Sequence, residues 1–501
     1  MKAQITKSTS GVRAMQAGLS VIMVAVLSAC VNYAGIHSDQ QMAEPQQFQT
    51  TQSLPAESGH WPAPDWADQF GDAQLKALID EALKDSPSIA QARARIAGAQ
   101  AYADTAKAST LPRVDASYSL TRQQFSGTSE IPPPYAGTWQ TQNSALLSLS
   151  YDLDLWGKNR ETLKAAVSQV QASEADAEVV KLTLTTAVAR TYNQLARLYV
   201  LHDIAQQEVE RREQIDRITA GRIATGLDTQ VERKTAQANL ASARSALAAL
   251  DGSILTTRYQ LAALLGEGPD RGLAIARPAL GVGDEVRLPD NLPADLVSRR
   301  PDIVAARWRV DAITHEVKEA KAEFYPDINL SAAIGLDSFG FGRFLTAASR
   351  TANAGPAIHL PIFDAGELRA QLRGRYADFD DAVATYNQTL IGALSGVATQ
   401  LAQIRSSDVQ LGDAQVAQQA AREADDLAVT QYKGGLTNQL TVLNADMNTL
   451  QADQAVANLL MDRRDQQIAL ASALGGGYVD TSSDAPRSAA LAAPSNSVAA
   501  R

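Results

Sequence analysis

Two stretches of this 501-residue chain repeat one another. The run Ser86 to Arg95 (SPSIAQARAR) lines up with Arg300 to Arg309 (RPDIVAARWR), pairing Pro87 with Pro301, Arg93 with Arg307 and Arg95 with Arg309. Lys107 and Pro112 pair with Lys321 and Pro326 at the same separation of 214 residues. Later pairs lie 209 apart: Gly157 with Gly366, Gly226-Leu227 with Gly435-Leu436, and Leu265-Gly266 with Leu474-Gly475. The first copy therefore carries five extra residues in a loop between Pro112 and Gly157. A period near 210 is far too long for a solenoid repeat, so it marks one structural unit used twice.

Each copy runs through the same patterns. A short helix comes first, over about 75–108 and 294–323, and Pro112 or Pro326 stops it. Strict alternation follows. Val114, Ala116, Tyr118 and Leu120 are apolar with polar residues between them, and Leu147, Leu149, Tyr151, Leu153 and Leu155 resume the period after a loop holding Pro132, Pro133 and Pro134. In the second copy Ile328, Leu330, Ala332, Ile334 and Leu336 alternate, then Ile358, Leu360 and Ile362. A period of two predicts strands with one apolar and one polar face. Next come proline-free stretches, from Pro134 to Pro269 and from Pro361 to Pro486. Gly226 and Gly435 interrupt them, so each reads as a hairpin of two long helices. Leu240, Ala243, Leu247, Leu250 and Ile254, like Leu440, Leu443, Met447 and Leu450, step by three and four, which is coiled-coil spacing. An outgoing arm from Trp156 to Gly221 would be on the order of 100 Å long at 1.5 Å per residue.

The predicted units are a leader over 1–29, an N-terminal segment over 30–74, and repeat 1 over 75–266 with strands in 113–155 and helices in 156–266. A linker over 267–292 leads to repeat 2 over 293–475, with strands in 327–363 and helices in 365–475. An unstructured tail rich in Ser, Ala and Pro follows over 476–501. The leader has a basic start (Lys2, Lys7, Arg13) and an apolar stretch from about Ala14 to Leu27, as in a secretory signal. It ends in Leu27-Ser28-Ala29-Cys30, which resembles the lipobox of bacterial lipoproteins. Cys30 is the only cysteine, so an intrachain disulfide is impossible and lipidation is its expected role, with a diacylglycerol and an N-palmitate. Two or more acyl chains suffice for firm anchoring. Val31 rather than Asp follows Cys30, which favours the outer membrane.

The four alternating segments, about ten residues each, are long enough to cross a membrane as tilted strands. A soluble sheet packed on the helices is the competing arrangement. Four strands cannot close a barrel, and an open edge in lipid costs several kcal/mol per unpaired backbone group. Membrane strands would therefore have to close by oligomerisation. A dimer has eight strands and no room for solute, whereas a trimer has twelve and a water-filled lumen.

Several motifs, in this order and spacing, resemble the outer-membrane factors of tripartite efflux and type I secretion systems, in particular the efflux lipoproteins. They are Trp66-Ala67-Asp68-Gln69-Phe70, Asp152-Leu153-Asp154-Leu155-Trp156-Gly157-Lys158, Arg299-Arg300-Pro301-Asp302-Ile303, Phe324-Tyr325-Pro326, Pro361-Ile362-Phe363-Asp364-Ala365-Gly366 and Ala473-Leu474-Gly475-Gly476-Gly477. The resemblance covers nearly the whole mature chain. It implies an α+β membrane protein built as a homotrimer, with a transmembrane β-barrel of four strands per protomer continued by a periplasmic α-helical barrel. It also implies a passive duct with no enzymatic activity, opened by a periplasmic adaptor (membrane fusion) protein and driven by an inner-membrane efflux pump. Gly335-Leu336-Asp337-Ser338 and Gly476-Gly477-Tyr478 are similar to the branch tied to aromatic-acid exporters.

By the same resemblance the hairpin tips, Ala224 to Thr229 and Gly434 to Gln439, form the gate and meet the adaptor. Arg222, Gly226, Asp228 and Glu232 are the expected residues at the first tip, and Tyr432, Lys433, Gly435 and Thr437 at the second. Thr437 and Asn438 replace a charged pair, so an ionic latch has to use Asp228 or give way to neutral hydrogen bonds, worth about 1 kcal/mol each when exposed. The five histidines show no metal-ligand spacing, no P-loop is present, and a net charge of -10 without long runs of one sign does not suit nucleic acid. Arg299, Arg300, Arg307 and Arg309 read as structural hydrogen-bonding groups. A lipid-anchored periplasmic coiled-coil scaffold without a pore is the alternative function, and it leaves the strands unexplained.

Overall fold

The computed structural model describes residues 33–128, 131–281, 288–290 and 292–480. The expected leader and the Cys30 anchor lie outside the described residues. The described residues form two compact units, one drawn from 33–42, 97–172 and 307–385, the other from 43–96, 173–306 and 386–480.

The first unit contains the sheet. Strands β1 (Arg113–Gln124), β2 (Trp139–Asp152), β3 (Asp327–Phe339) and β4 (Arg350–His359) lie in the order β1-β2-β3-β4, each antiparallel to its neighbour. Residues directly opposite one another share a face. Val114, Leu149, Ala332 and Ala354 form one rung, and Ala116, Leu147, Ile334 and Ala352 the rung two residues on. Between them stand Asp115, Ser148, Ala333 and Asn353 on the opposite face. The register thus joins the two copies of the repeat into one sheet with an apolar and a polar side. Away from the loop end, where Asn143 is buried and Tyr118 meets Phe344, the apolar side is bare: Val114 is 58% exposed, Ile334 61% and Ile358 65%. A sheet packed on helices would have buried these side chains. Aromatic residues stand at both ends of this face, with Trp139 exposed at the loop end and Trp156 stacked on Tyr325 at the helix end, centroids 4.7 Å apart.

Each expected leading helix is two helices. The first splits into α1 (Ala73–Asp85) and α2 (Pro87–Ala108). Ser86 between them is extended at ψ 131°, as the residue before proline prefers, and Pro87 opens the next helix, where its missing N–H costs nothing. Pro301 has the same effect in the second copy, after α6 (Leu292–Arg299) and before α7 (Pro301–Ala322).

The long helices match the duplication closely. Here α3 (Lys158–Ala224) and α8 (Glu367–Lys433) each have 67 residues. The returning helices α4 (Gln230–Leu265) and α9 (Gln439–Ala473) have 36 and 35, and a short α5 (Pro269–Leu273) follows α4. Among the described residues no helix is apolar enough to cross a membrane, a result that bears on helices and not on strands.

In the second unit Phe70, Leu75 and Leu78 pack with Leu184, Leu195, Leu261 and Ile275 around Tyr192. The Tyr192 hydroxyl donates to Asp72 Oδ2 at 2.8 Å and accepts from Gln74 Nε2 at 2.7 Å, so the buried phenol is satisfied. Two expectations need correction. Of the stripe Leu440, Leu443, Met447 and Leu450, only Leu443 is buried within one copy of the chain, and Leu440 and Met447 are 63% and 49% exposed. The buried face of the first half of α9 holds Gln439, Val442, Leu443, Asp446, Thr449 and Asp453, with Asp446 paired to Arg211 and Arg212 and Asp453 to Arg422. The tail expected over 476–501 does not hold for its first five residues, since Gly476 to Asp480 are placed and the Asp480 N–H donates to the Ser298 carbonyl at 2.9 Å. Glycine is required there: Gly475 has φ +93°, and a Cβ on it would lie 1.9 Å from the Arg299 carbonyl oxygen.

Candidate functional site: the helical hairpin tips

The two tips are built alike. Helix α3 ends with Gly226 at φ +76°, which lets the Leu227 N–H reach back to the Arg222 carbonyl at 2.9 Å. Helix α8 ends with Gly435 at φ +75°, and the Leu436 N–H reaches the Gln431 carbonyl at 2.9 Å. Both are Schellman closures, in which a left-handed glycine satisfies carbonyls that the helix end would otherwise leave unpaired. The next helices start with side-chain caps. The Thr229 hydroxyl accepts from the Val231 N–H, and Glu232 accepts from the Thr229 N–H at 2.8 Å in a capping box. The Thr229 hydroxyl, which also donates to Glu232, and then the backbone N–H groups of Glu232 and Thr229 hold the Glu232 carboxyl below the usual carboxylate range. In the second copy Asn438 caps α9 through the Thr441 N–H at 3.1 Å.

The tips are then tied together. Arg222 Nε and Nη2 donate to the two carboxylate oxygens of Asp228 at 2.9 and 3.2 Å. Arg222 Nη1 also donates to the Tyr432 carbonyl at 2.9 Å, and its guanidinium carbon lies 4.4 Å from the centre of the Tyr432 ring. The Tyr432 hydroxyl donates to Asp228 Oδ2 at 2.6 Å. Tyr432 is 1% exposed, and the Arg222 and Asp228 side chains are 14% and 9% exposed. Burial pushes the Asp228 carboxyl up, but the hydrogen bonds from Arg222 and Tyr432 outweigh it and hold the group below the usual range. The Tyr432 phenol is raised, by burial first and by the Asp228 carboxylate second.

Of the eight expected tip residues, Arg222, Asp228 and Tyr432 meet in one cluster, Gly226 and Gly435 make the turns, and Glu232 serves the cap. Lys433 is exposed, and Thr437 bonds locally to Thr441 at 2.9 Å. The cluster is ionic and largely buried, so the value for exposed contacts understates it. Sequence reasoning did not single out Thr219 and Gln439. Gln439 Nε2 donates to Thr219 Oγ1 at 3.1 Å and to the Glu232 carbonyl at 3.4 Å, joining α9 to both arms of the first hairpin.

A second charged cluster was also missed. Arg212 pairs with Glu208 at 2.5 Å and with Asp446 at 2.6 Å, and Arg211 pairs with Asp446 at 3.1 Å and Asp425 at 3.2 Å. Asp446 is 0% exposed, and three carboxylates share two guanidiniums. Burial first, then Glu208, pushes Asp446 up to about 7 against the pull of both arginines. The spacing of Glu208 and Arg212 on one helix face hinted at it, but nothing local marks Asp425 or Asp446. The Arg300 guanidinium, read as structural, donates to the Ala473 carbonyl at 2.6 Å and to Asp302 at 2.6 Å.

A family model described as outer membrane efflux protein matches residues 78–267 and 292–476. The multidrug resistance outer membrane protein MdtP of Shigella flexneri is 31% identical over 467 residues, covering 90% of this chain and 94% of the relative. The fusaric acid resistance protein FusA of Burkholderia cepacia is 40% identical over 317 residues, a match that spans 62% of this chain and 59% of the relative. Among solved structures, the outer membrane protein VceC of Vibrio cholerae superposes with a TM-score of 0.78 at 35% identity, covering 83% of this chain and 100% of that one.

Proposed function

This chain belongs to the outer membrane efflux protein family and is an outer-membrane efflux channel protein, and from that premise we propose that three copies close one twelve-stranded barrel through the outer membrane. The helices α3, α4, α8 and α9 of each copy continue the barrel as a periplasmic tube. The observation that carries this reading is the bare apolar face of a four-stranded sheet whose outer strands, β1 and β4, each keep an unpaired edge. In lipid such edges must pair, and β1 of one copy against β4 of the next is the arrangement that pairs them all.

Cys30 carries the lipid anchor, a diacylglycerol with an N-palmitate, in the same membrane. The tips close the tube at rest through Arg222, Asp228 and Tyr432. A periplasmic adaptor opens it, and an inner-membrane pump supplies the energy. The exposed side chains Leu227, Val231, Leu436 and Leu440 beside the turns give an adaptor apolar contacts.

The test is closure. Cysteines placed on the free edges of β1 and β4 should crosslink copies into a ladder that ends at three, and the unheated protein should migrate in SDS as an oligomer. A monomer or soluble dimer, without crosslinks between these edges, supports the periplasmic scaffold instead.

A further inference from the structure

Besides Leu146, Ala333 and Ala357, the strand residues of the polar face depart from polar alternation at one aromatic side chain, Phe339. In the loop-end half of that face the strand residues are Ser117, Ser119, Thr121 and Gln123 on β1, and Gln140, Gln142, Ser144 and Leu146 on β2. On β3 they are Gly335, Asp337 and Phe339. Phe339 stands opposite Gln142, where alternation calls for a polar side chain. Phe125, two residues beyond Gln123, falls on the same face. The turn before β2 brings Tyr135 back against Phe339. The Phe125 and Phe339 centroids are 5.4 Å apart and edge-on, and the Tyr135 ring lies 4.9 Å from Phe339 at 39°. Backbone bonds from the Phe125 N–H to the Thr138 carbonyl at 3.2 Å and from the Gly137 N–H to the Phe125 carbonyl at 3.0 Å lock the turn in place.

The chemistry beside the rings is specific. Gln142 Nε2 donates to Asp337 Oδ2 at 3.1 Å, and Gln123 Nε2 donates to Gln142 Oε1 at 3.4 Å. Asp337 is the one charged strand residue in this half of the face. Three π faces next to a carboxylate attract a flat aromatic solute, and a cationic one most, because the ring quadrupole and the carboxylate act with the same sign.

We propose that Phe125, Tyr135 and Phe339, with Asp337, form an aromatic subsite on the luminal wall of the barrel's outer mouth, where planar aromatic solutes stack on leaving, cationic ones in preference to anionic ones. The subsite rests on the channel reading, which turns the polar face inward. It occurs three times in the trimer.

The experiment measures binding to the purified full-length protein in detergent. Ethidium is the planar aromatic cation, naphthalene-2-sulfonate the planar aromatic anion, and both are followed by fluorescence titration. Wild type should bind ethidium saturably and at least about fivefold more tightly than the sulfonate, a contrast of the size expected for a cation over aromatic rings. The Phe125→Leu/Phe339→Leu variant keeps apolar packing and removes two rings, so it should weaken both probes. Asp337→Asn should weaken ethidium alone. Val416→Ala, on the exposed surface of α8, should change neither. Migration as an SDS-resistant, heat-modifiable oligomer certifies each variant as assembled. Assembled wild type without saturable ethidium binding, or an assembled leucine variant that binds as wild type does, overturns the subsite and leaves the channel intact. A wild type that never forms the oligomer overturns the channel reading, and the subsite with it.

Discussion

The Tyr432 hydroxyl donates a 2.6 Å hydrogen bond to Asp228 Oδ2, so the second hairpin is fastened to the first through the carboxylate that Arg222 already holds. Removing either end should loosen the tips by different amounts. Tyr432→Phe deletes one hydrogen bond to a charged group, a loss of about 1.5–3 kcal/mol. Asp228→Ala strands a mostly buried guanidinium, which costs roughly 3–5 kcal/mol. In planar bilayers without adaptor, wild type should show low conductance, and the Asp228→Ala/Tyr432→Phe double variant a higher open probability. Equal traces would place the gate elsewhere.

The two charged clusters should respond to pH in opposite directions. The folded Asp228 value lies below its ordinary 3.8, so its contribution is complete above that range and disappears only as pH falls through the lower folded value. The tip lock should therefore hold from about pH 5 to 8. Asp446 is raised to about 7 from 3.8, so the folded state binds the proton more tightly than the unfolded chain does. Its burial penalty grows as pH rises from about 4 to about 7 and is complete above that. Thermal melts in detergent should show Asp446→Asn gaining stability relative to wild type as pH is raised from 5 to 8. A constant difference across that range would mean that Asp446 does not titrate there.

Strand pairing across the repeat depends on one missing side chain. A Cβ on Gly335 would lie 2.0 Å from the Ala145 carbonyl oxygen and 2.9 Å from Leu146 Cα. Gly335→Ala must push β2 and β3 apart and should abolish the SDS-resistant oligomer. Gly355 on β4 has nothing within 4 Å of the same position, and Gly355→Ala should assemble normally.

The faces of the sheet can be read out with arginine. Leu149 lies on the bare apolar side and Ser150 on the polar side. In a barrel, Leu149→Arg should cost roughly 2–4 kcal/mol and Ser150→Arg much less. Folding titrations in lipid vesicles measure the difference, and equal stabilities would mean the faces are reversed or neither meets lipid.

Labelled palmitate should attach to the wild-type protein and not to Cys30→Ser, while the variant still inserts through its strands. Label retained on the variant would refute lipidation at Cys30.

Much of the fold was legible because its signals are local. Alternation at Val114 to Leu120 and Ile328 to Leu336 fixes which side chains share a face, and the absence of proline after Pro134 and Pro361 permits helices of 67 residues. Gly226 and Gly435 were readable as turns because few other residues adopt the left-handed conformation cheaply. The breaks at Pro87 and Pro301 were readable in principle, since the residue before a proline leaves the helical region, and the helical periodicity on either side obscured them.

The sequence by itself determined the duplication, the two-faced strands and the existence of the two tips, since each follows from periodicity and backbone chemistry within a short window. Tertiary structure alone decided which face of α9 is buried, that Tyr432 reaches Asp228 across 204 residues, and that Asp446 stands between Arg211 and Arg212. Leu440 and Met447 look more buriable than Asp446 in isolation. The outcome is reversed because a carboxylate that meets two guanidiniums recovers part of its lost hydration, and that compensation exists only once distant helices have come together.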